Sequence, residues 1–417
     1  MSRIDDLILQ HCPDGVAYRP IGEIGELVRG NGMPKSDFVE SGVGCIHYGQ
    51  IYTFYGTWTD TTKSFVSSST AAKLAKVNPG DLIITNTSEN IEDVCKTTAW
   101  LGADQIVTGG HATVLRHQQE PKFLSYYFQT VDFDIQKRKL ASGTKVIDVS
   151  AKSLAKILVP VPPLEVQREI VRVLDLFQEL EAELEAELEA RKKQYEHYRD
   201  SLLTFDNSRE RERVRWVTMG EIGTLFGGLT GKSKNDFTGG NARFVSYMNV
   251  FSNLATNVFP DEMVMISATE NQREIHLGDI LFTGSSESMA ECGMSSVVTK
   301  QPAERLYLNS FCIGYRPNDS EMLRPEFAKH LFRSNALRKQ IIKTANGVTR
   351  FNVSKGRLAK VVFPVPSPEE QDKIANVLDN FYALVNDLSV GLPAELKTRR
   401  KQYEYYRDKL LKFEEAA

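Results

Sequence analysis

Apolar residues fall at three- and four-residue spacings through Ile170, Val173, Leu174, Phe177, Leu180, Leu184, Leu188, Tyr195, Tyr198, Leu202 and Phe205, with Glu and Arg between them. That period places one apolar seam on a long amphipathic helix. At ~1.5 Å per residue, a helix over residues 164–205 is roughly 60 Å long. The pattern returns near the end of the chain. Pro160, Pro162, Gln167, Ile170, Val173, Leu174, Asp175 and Phe177 recur 204 positions later, and Lys193-Gln194-Tyr195, Tyr198-Arg199-Asp200, Leu202, Leu203 and Phe205 recur 208 positions later. The second copy therefore carries four extra residues in its middle. A repeat this long marks a duplicated structural unit. The second copy opens Ser367-Pro368-Glu369-Glu370, with an N-cap serine, proline at the first helical position and glutamate at the third. The middle of the first copy is a four-residue Leu-Glu-Ala-Glu repeat. The second has Gly391-Leu392-Pro393 there, and Pro393 predicts a kink or short break.

Before each helical segment lies a globular stretch with short β-branched and aromatic runs broken by Gly and Asn. Gly44–Tyr52, Asp81–Thr85, Ala112–Arg116, Arg243–Met248, Asp279–Thr283 and Ser310–Arg316 read as strands. One helix per stretch is expected, at Pro121–Leu140 and Pro325–Ala345, and residues 1–14 read as a short leading helix. These stretches are repeats too. Ile21-Gly22-Glu23-Ile24-Gly25 matches Met219-Gly220-Glu221-Ile222-Gly223, and Gly143–Ser150 matches Gly347–Ser354. Between such anchors the two diverge. The pattern predicts an α+β chain of four parts: residues 1–158, a helical spacer over 159–205, residues 206–362, and a second spacer over 363–417. If the spacers bury their seams on each other they run antiparallel, with a pseudo-twofold axis between the two mixed α/β domains.

At 417 residues, with 41% hydrophobic and 25% charged residues, the composition is that of an ordinary globular chain. No apolar run is long enough to span a membrane, and the first residues lack the apolar core of a signal peptide. Five scattered cysteines, none in a C-x-x-C pair, point to a reducing cytoplasm. Net charge disfavours nucleic acid only at first sight. Residues 165–200 carry −5 against −3 for the whole chain, so the rest stands at +2.

Catalytic motifs are not found. Gly227-Gly228-Leu229-Thr230-Gly231-Lys232-Ser233 resembles a phosphate loop, but Phe226 stands where its first glycine belongs, so Gly227 and Gly228 read as turn residues. No Asn-Pro-Pro-aromatic or Asp-Pro-Pro-aromatic tetrad supports a methyl-donor site. The seven histidines show no metal-ligand spacing, and His111 reads as structural or as a polar contact. Ser88-Glu89 and Ser286-Glu287 recur after a Gly-Asp strand. Without His or Lys they suit hydrogen bonding to a ligand better than nucleophilic catalysis.

The paired Lys-Gln-Tyr and Tyr-Arg-Asp ends, the Pro-Val-Pro entries and the Leu-Glu-Ala-Glu run resemble the specificity subunit of type I restriction–modification enzymes over the whole chain. The four-residue repeats look most like the subfamily whose spacers carry such units. The resemblance implies two target-recognition domains reading a split double-stranded DNA sequence. It implies spacers that dock two modification subunits, which hold S-adenosylmethionine and methylate adenine, and restriction subunits that use ATP and Mg. The specificity chain itself then binds no cofactor or metal and has no catalytic residue. Loop residues suited to base or phosphate contact are Lys35, Ser36, Tyr48, Gln50, Tyr52, Asn86, Ser88, Glu89, Asn90 and Lys145 in the first domain. In the second they are Lys232, Ser233, Lys234, Tyr247, Asn249, Ser285, Ser286, Glu287 and Arg350. Lys145, Arg350 and the Lys-Ser loops are expected on phosphate. Subunit docking is expected at Gln167, Leu174, Phe177, Tyr195, Tyr198, Gln371, Leu378, Phe381, Tyr403 and Tyr406. The alternatives are a coiled-coil interaction scaffold without DNA recognition and a free-standing DNA methyltransferase.

Overall fold

The computed structural model describes residues 3–205, 214–319, 321–387 and 389–416. The expected junction near residue 206 falls against residues outside that set. The chain forms two compact units, Met1–Glu185 with Glu395–Ala417, and Ala186–Ala394.

In the first unit, a five-stranded sheet takes the order Gly25–Arg29, Ala112–His117, Leu82–Thr85, Thr97–Trp100, Trp58–Thr59. A second five-stranded sheet is built around Val43–Ile46 and Ile106–Thr108. Leu82, Ile84, Leu115, Phe123, Tyr126 and Tyr127 form the main core, and Ile170, Leu174 and Tyr403 of the spacers are part of it. The second unit repeats the plan. Its four-stranded sheet takes the order Gly223–Gly227, Cys312–Pro317, Ile280–Thr283, Ser295–Val297. Strand Arg215–Thr218 pairs with Val362–Val365, as Tyr18–Pro20 pairs with Leu158–Pro160 in the first unit.

Several local expectations need correction. Gly44–Tyr52 is not one strand: Val43–Ile46 is followed by a helix, Tyr48–Thr53. His47 caps that helix through Nδ1, and Gln50 Oε1 accepts from the His47 amide, a capping box built on an unusual residue. Arg243–Met248 divides likewise into Ala242–Val245 and the helix Tyr247–Ser252, capped by Ser246. Each expected single helix after the sheet is two. Thr130 caps Val131–Leu140 after Pro121–Tyr127, and Ser334 caps Asn335–Ile342 after Pro325–Leu331. A hydroxyl that accepts a backbone amide competes with helix continuation, which the apolar period does not reveal.

The first spacer is an unbroken helix, Leu164–Leu202. The second is broken, Pro368–Asn386 and then Leu392–Leu410, with Pro393 in the first turn of the latter. Ser367 caps its start by accepting from the Glu370 amide (3.3 Å). In the first unit, Phe177 stacks on Tyr406 (5.5 Å) and Arg400 Nε pairs with Glu181 (2.6 Å), so the two helices run antiparallel. In the second unit Tyr198 lies on Phe381 (5.3 Å) and Tyr195 against Tyr382 (5.7 Å), again antiparallel. Leu180 does not join the seam and is 48% exposed. Four residues advance a helix by about 400°, so Leu180, Leu184 and Leu188 drift ~40° per repeat around the axis.

Each spacer aspartate is anchored to its own domain in the same way. Asp175 accepts from Tyr126 Oη (2.6 Å) and Lys122 Nζ (2.8 Å). Its repeat, Asp379, meets His330 Nε2 (2.7 Å) and Lys329 Nζ (2.8 Å), while Tyr195 Oη reaches His330 Nδ1 (3.0 Å). Burial lowers the His330 pKa below its ordinary value, outweighing the opposing pull of Asp379. The folded state then binds fewer protons at this site than the unfolded chain. Its stability is held above about pH 6.5 and declines as pH falls through that value. Asp379, held below the ordinary carboxylate range, loses its contribution only in stronger acid. Thermal melting between about pH 7.5 and 5.5 should show a smaller acid loss for His330→Gln than for wild type. Parallel pH profiles would contradict this.

Candidate functional site

Five of the expected second-domain residues converge. Tyr247, Ser285, Ser286, Glu287 and Arg350 line one open cleft of about 450 Å³ with Glu291, Asn309 and Phe311. The strand Ser285–Ser286 is part of its lining and pairs antiparallel with Asn352 and Phe351. Tyr247 Oη donates to the Ser285 carbonyl (2.8 Å), fixing the helix Tyr247–Ser252 against that strand. Arg350 donates to Ser285 Oγ (3.1 Å), and its guanidinium lies over the Phe311 ring at 5.6 Å. The loop carrying Arg350 turns at Gly347, whose φ of +136° is accessible to glycine and strained for other residues. Gly143 holds the matching turn before Lys145 with φ +99°.

The first unit places an aromatic cluster at the equivalent positions. The Tyr48 ring lies against His47 (4.4 Å), His111 (5.1 Å) and Tyr52 (6.3 Å). Burial, and then the nearby charges of Lys35 and His111, hold His47 below its ordinary pKa. Glu89 and Asn90 are exposed at the end of the strand Thr87–Ser88. Asn90 is engaged locally, donating to Asp93 Oδ2 (2.8 Å) and accepting from the Asp93 amide (2.8 Å). Lys35, Ser36, Lys145, Lys234 and Ser233 are exposed.

Other expected contacts are engaged within the chain. Asn86 is buried, donating to the Val149 carbonyl (2.8 Å) and accepting from Thr113 Oγ1 (2.8 Å). Asn249 is buried and holds both the amide and the carbonyl of Asn257. Gln50 completes the helix cap and donates to Ser64 Oγ (2.7 Å). Lys232 pairs with Glu270 (2.5 Å), and its side chain is 5% exposed. Ser233 donates both its amide and its hydroxyl to Asp236 Oδ2 (2.7 Å each). Ser88 is buried and accepts weakly from the Asn90 amide (3.4 Å). Gly228 is a close approach rather than a phosphate-loop position, since a Cβ there would meet the Asn309 carbonyl.

The docking set divides in two. Gln167, Leu174, Tyr195, Gln371, Leu378 and Tyr403 are buried inside their own unit. Gln167 Oε1 accepts from the Glu120 amide (2.9 Å) and Gln371 Oε1 from the Arg324 amide (2.9 Å), and both donate to a spacer-entry proline carbonyl. These side chains hold spacer to domain. Phe177 and Phe381 are half-buried, while Tyr198 and Tyr406 remain exposed. Leu180 and Leu384, which recur at the repeat spacing, are also exposed and were not among the expected residues. Phe311 was not expected at the cleft, nor His111 in the first unit's aromatic cluster. Their equivalence one residue before the strands Ala112–His117 and Cys312–Pro317 is the signal that could have identified them.

No helix among the described residues is long and apolar enough to cross a membrane. A model described as the type I restriction modification DNA specificity domain matches residues 13–190 and 212–398. The chain is 35% identical over 275 residues to the type I restriction enzyme EcoR124I/EcoR124II specificity subunit of Escherichia coli, covering 64% of this chain and 65% of that subunit. It is 29% identical over 219 residues to the type I restriction enzyme MpnII specificity subunit of Mycoplasma pneumoniae, covering 52% of this chain and 60% of that one. The aligned part therefore spans less than two thirds of either relative. Among solved structures, a chain from a study of complex assembly and conformational transition of the type I R-M system superposes with TM-score 0.68 at 20% identity, covering 96% of this chain and 98% of its own. The HsdS subunit from Thermoanaerobacter tengcongensis gives TM-score 0.51 at 18% identity, over 96% and 97%. With its two matched segments covering most of its length, the chain belongs to the type I restriction modification DNA specificity family.

Proposed function

We propose that this chain is the sequence-specific DNA-recognition subunit of a type I restriction–modification complex, each unit reading one half of a bipartite double-stranded target. The observation that carries this reading is one frame built twice with different side chains at equivalent positions. Tyr48 and Tyr247, and Glu89 and Glu287, are shared, while His111 faces Tyr48 where Phe311 lines the cleft beside Tyr247. Two surfaces alike in frame and different in side chains suit two different sequences read in one orientation. The exposed Leu180, Leu384, Tyr198 and Tyr406 are the spacer residues we assign to docking of two modification subunits, which supply S-adenosylmethionine and adenine methylation. Restriction subunits supply ATP- and Mg-dependent cleavage, in the cytoplasm, and this chain is non-catalytic.

The test uses the purified full chain, alone and with its modification subunit. The complex should retain DNA in a shift assay in a sequence-dependent way, and the chain alone should transfer no methyl group from S-adenosylmethionine. Methyl transfer by the homogeneous isolated chain would sink the non-catalytic reading. Sequence-independent retention by the complex would favour the scaffold alternative.

A further inference from the structure

The second unit's cleft contains both signs of charge, and that combination narrows what it can read. Arg350 is held in a defined pose by Ser285 Oγ on one side and the Phe311 ring beneath it. Both supports are fixed: the Ser285 carbonyl accepts from Tyr247, the Gly284 amide donates to the Phe311 carbonyl (2.7 Å), and the Phe311 amide donates to Asn309 Oδ1 (2.9 Å). Among the described residues the hydrogen-bond partner of Arg350 is a serine hydroxyl rather than a carboxylate, yet Glu287 and Glu291 line the same cleft. The ladder pairs Ser286 with Phe351, so Glu287 and Arg350 each lie one residue beyond the last pair.

A phosphate is poorly served by a cleft with two carboxylates. A G·C pair is well served. Guanine presents the O6 and N7 acceptors to a guanidinium fork, and cytosine presents the N4 amine to a carboxylate. We infer that Arg350 and Glu287 together read one G·C pair in the major groove, Arg350 on guanine and Glu287 on cytosine. This assignment rests on the proposed DNA-recognition function, and it moves Arg350 from phosphate to base. Phe311, 59% exposed, acts as a positioning residue that holds the guanidinium plane.

The test is DNA binding by the full chain with its modification subunit, on its mapped target and on every single-base variant of it. Wild type should discriminate for a G·C pair in the half read by the second unit. Arg350→Ala should reduce that discrimination by roughly ten- to a hundredfold at one position and leave the other half unchanged. Arg350→Lys keeps the charge but not the fork, so it should relax the same position with little change in salt dependence. Glu287→Gln should relax that position too. A uniform loss across all sequences, with the salt slope reduced by about one charge, would make Arg350 a phosphate contact and overturn the inference. A second-unit half-site lacking any G·C pair would overturn it as well. Absence of sequence-dependent binding by the wild-type complex would instead remove the underlying function.

Discussion

Replacing residues 15–158 with the corresponding segment of another family member should change one half of the DNA target completely and leave the other half intact. Every residue of the second unit's cleft belongs to that unit, and the aromatic cluster around Tyr48 belongs wholly to the first. The frame to be preserved is specific. The incoming segment must supply an amide for Gln167 and, for Asp175, a hydroxyl or imidazole where Tyr126 stands and an ammonium within reach, as Lys122 gives here and Lys329 gives Asp379 in the second unit. Leaving the Asp175 carboxylate without those donors would cost on the order of 1–3 kcal/mol and confuse misfolding with altered reading. The readout is the methylated sequence in a host carrying the hybrid and its modification subunit. Simultaneous change in both halves would show that the readers are coupled.

The second large effect concerns the spacer. Inserting one Leu-Glu-Ala-Glu unit between Leu180 and Leu188 should widen the unread gap of the target by one base pair and leave both half-sites unchanged. Four residues lengthen a helix by about 6 Å and rotate the chain beyond them by about 40°. One base pair advances ~3.4 Å and turns roughly 34–36°. The rotation matches one base pair, whereas the rise alone suggests nearly two. Rotation should decide, because misphasing takes a reader out of its groove while a small axial error can be absorbed. Two features favour tolerance at this site. Leu180 is exposed, and the second spacer is interrupted between Asn386 and Leu392. The insertion is read out by mapping methylated sites. Full activity with an unchanged gap would show that the spacers do not set the distance.

The duplication, the helical spacers, the N-cap at Ser367 and the break near Pro393 were all legible in the sequence, because each depends on residues close together in the chain. The apolar period gives helices and the offset repeat gives the two units. Side-chain hydrogen bonds over long separations were not legible. Asn86 and Asn249 look like base readers as isolated letters, but both are buried and their amides are spent on the backbone carbonyls of Val149 and Asn257. Lys232 looks like a phosphate ligand until Glu270, 38 residues on, neutralises it. Gln167 and Gln371 recur because they tie spacer to domain, and recurrence alone does not separate that role from docking. The helix Tyr48–Thr53 escaped because a histidine caps it. The cleft is therefore only partly readable from sequence: Tyr247, Ser285, Ser286, Glu287 and Arg350 are found by loop chemistry, whereas Phe311 is revealed by its contact with Arg350.

If two units of one chain read two halves of one site, the modification pattern of a host must carry that signature. The most direct test is to map every methylated adenine in a host carrying the modification subunit, with and without this chain. The expected result is methylation that depends on the chain and falls within two short specified blocks separated by a fixed unspecified gap. Methylation that persists without the chain, or that follows a single contiguous block, would contradict two-unit reading.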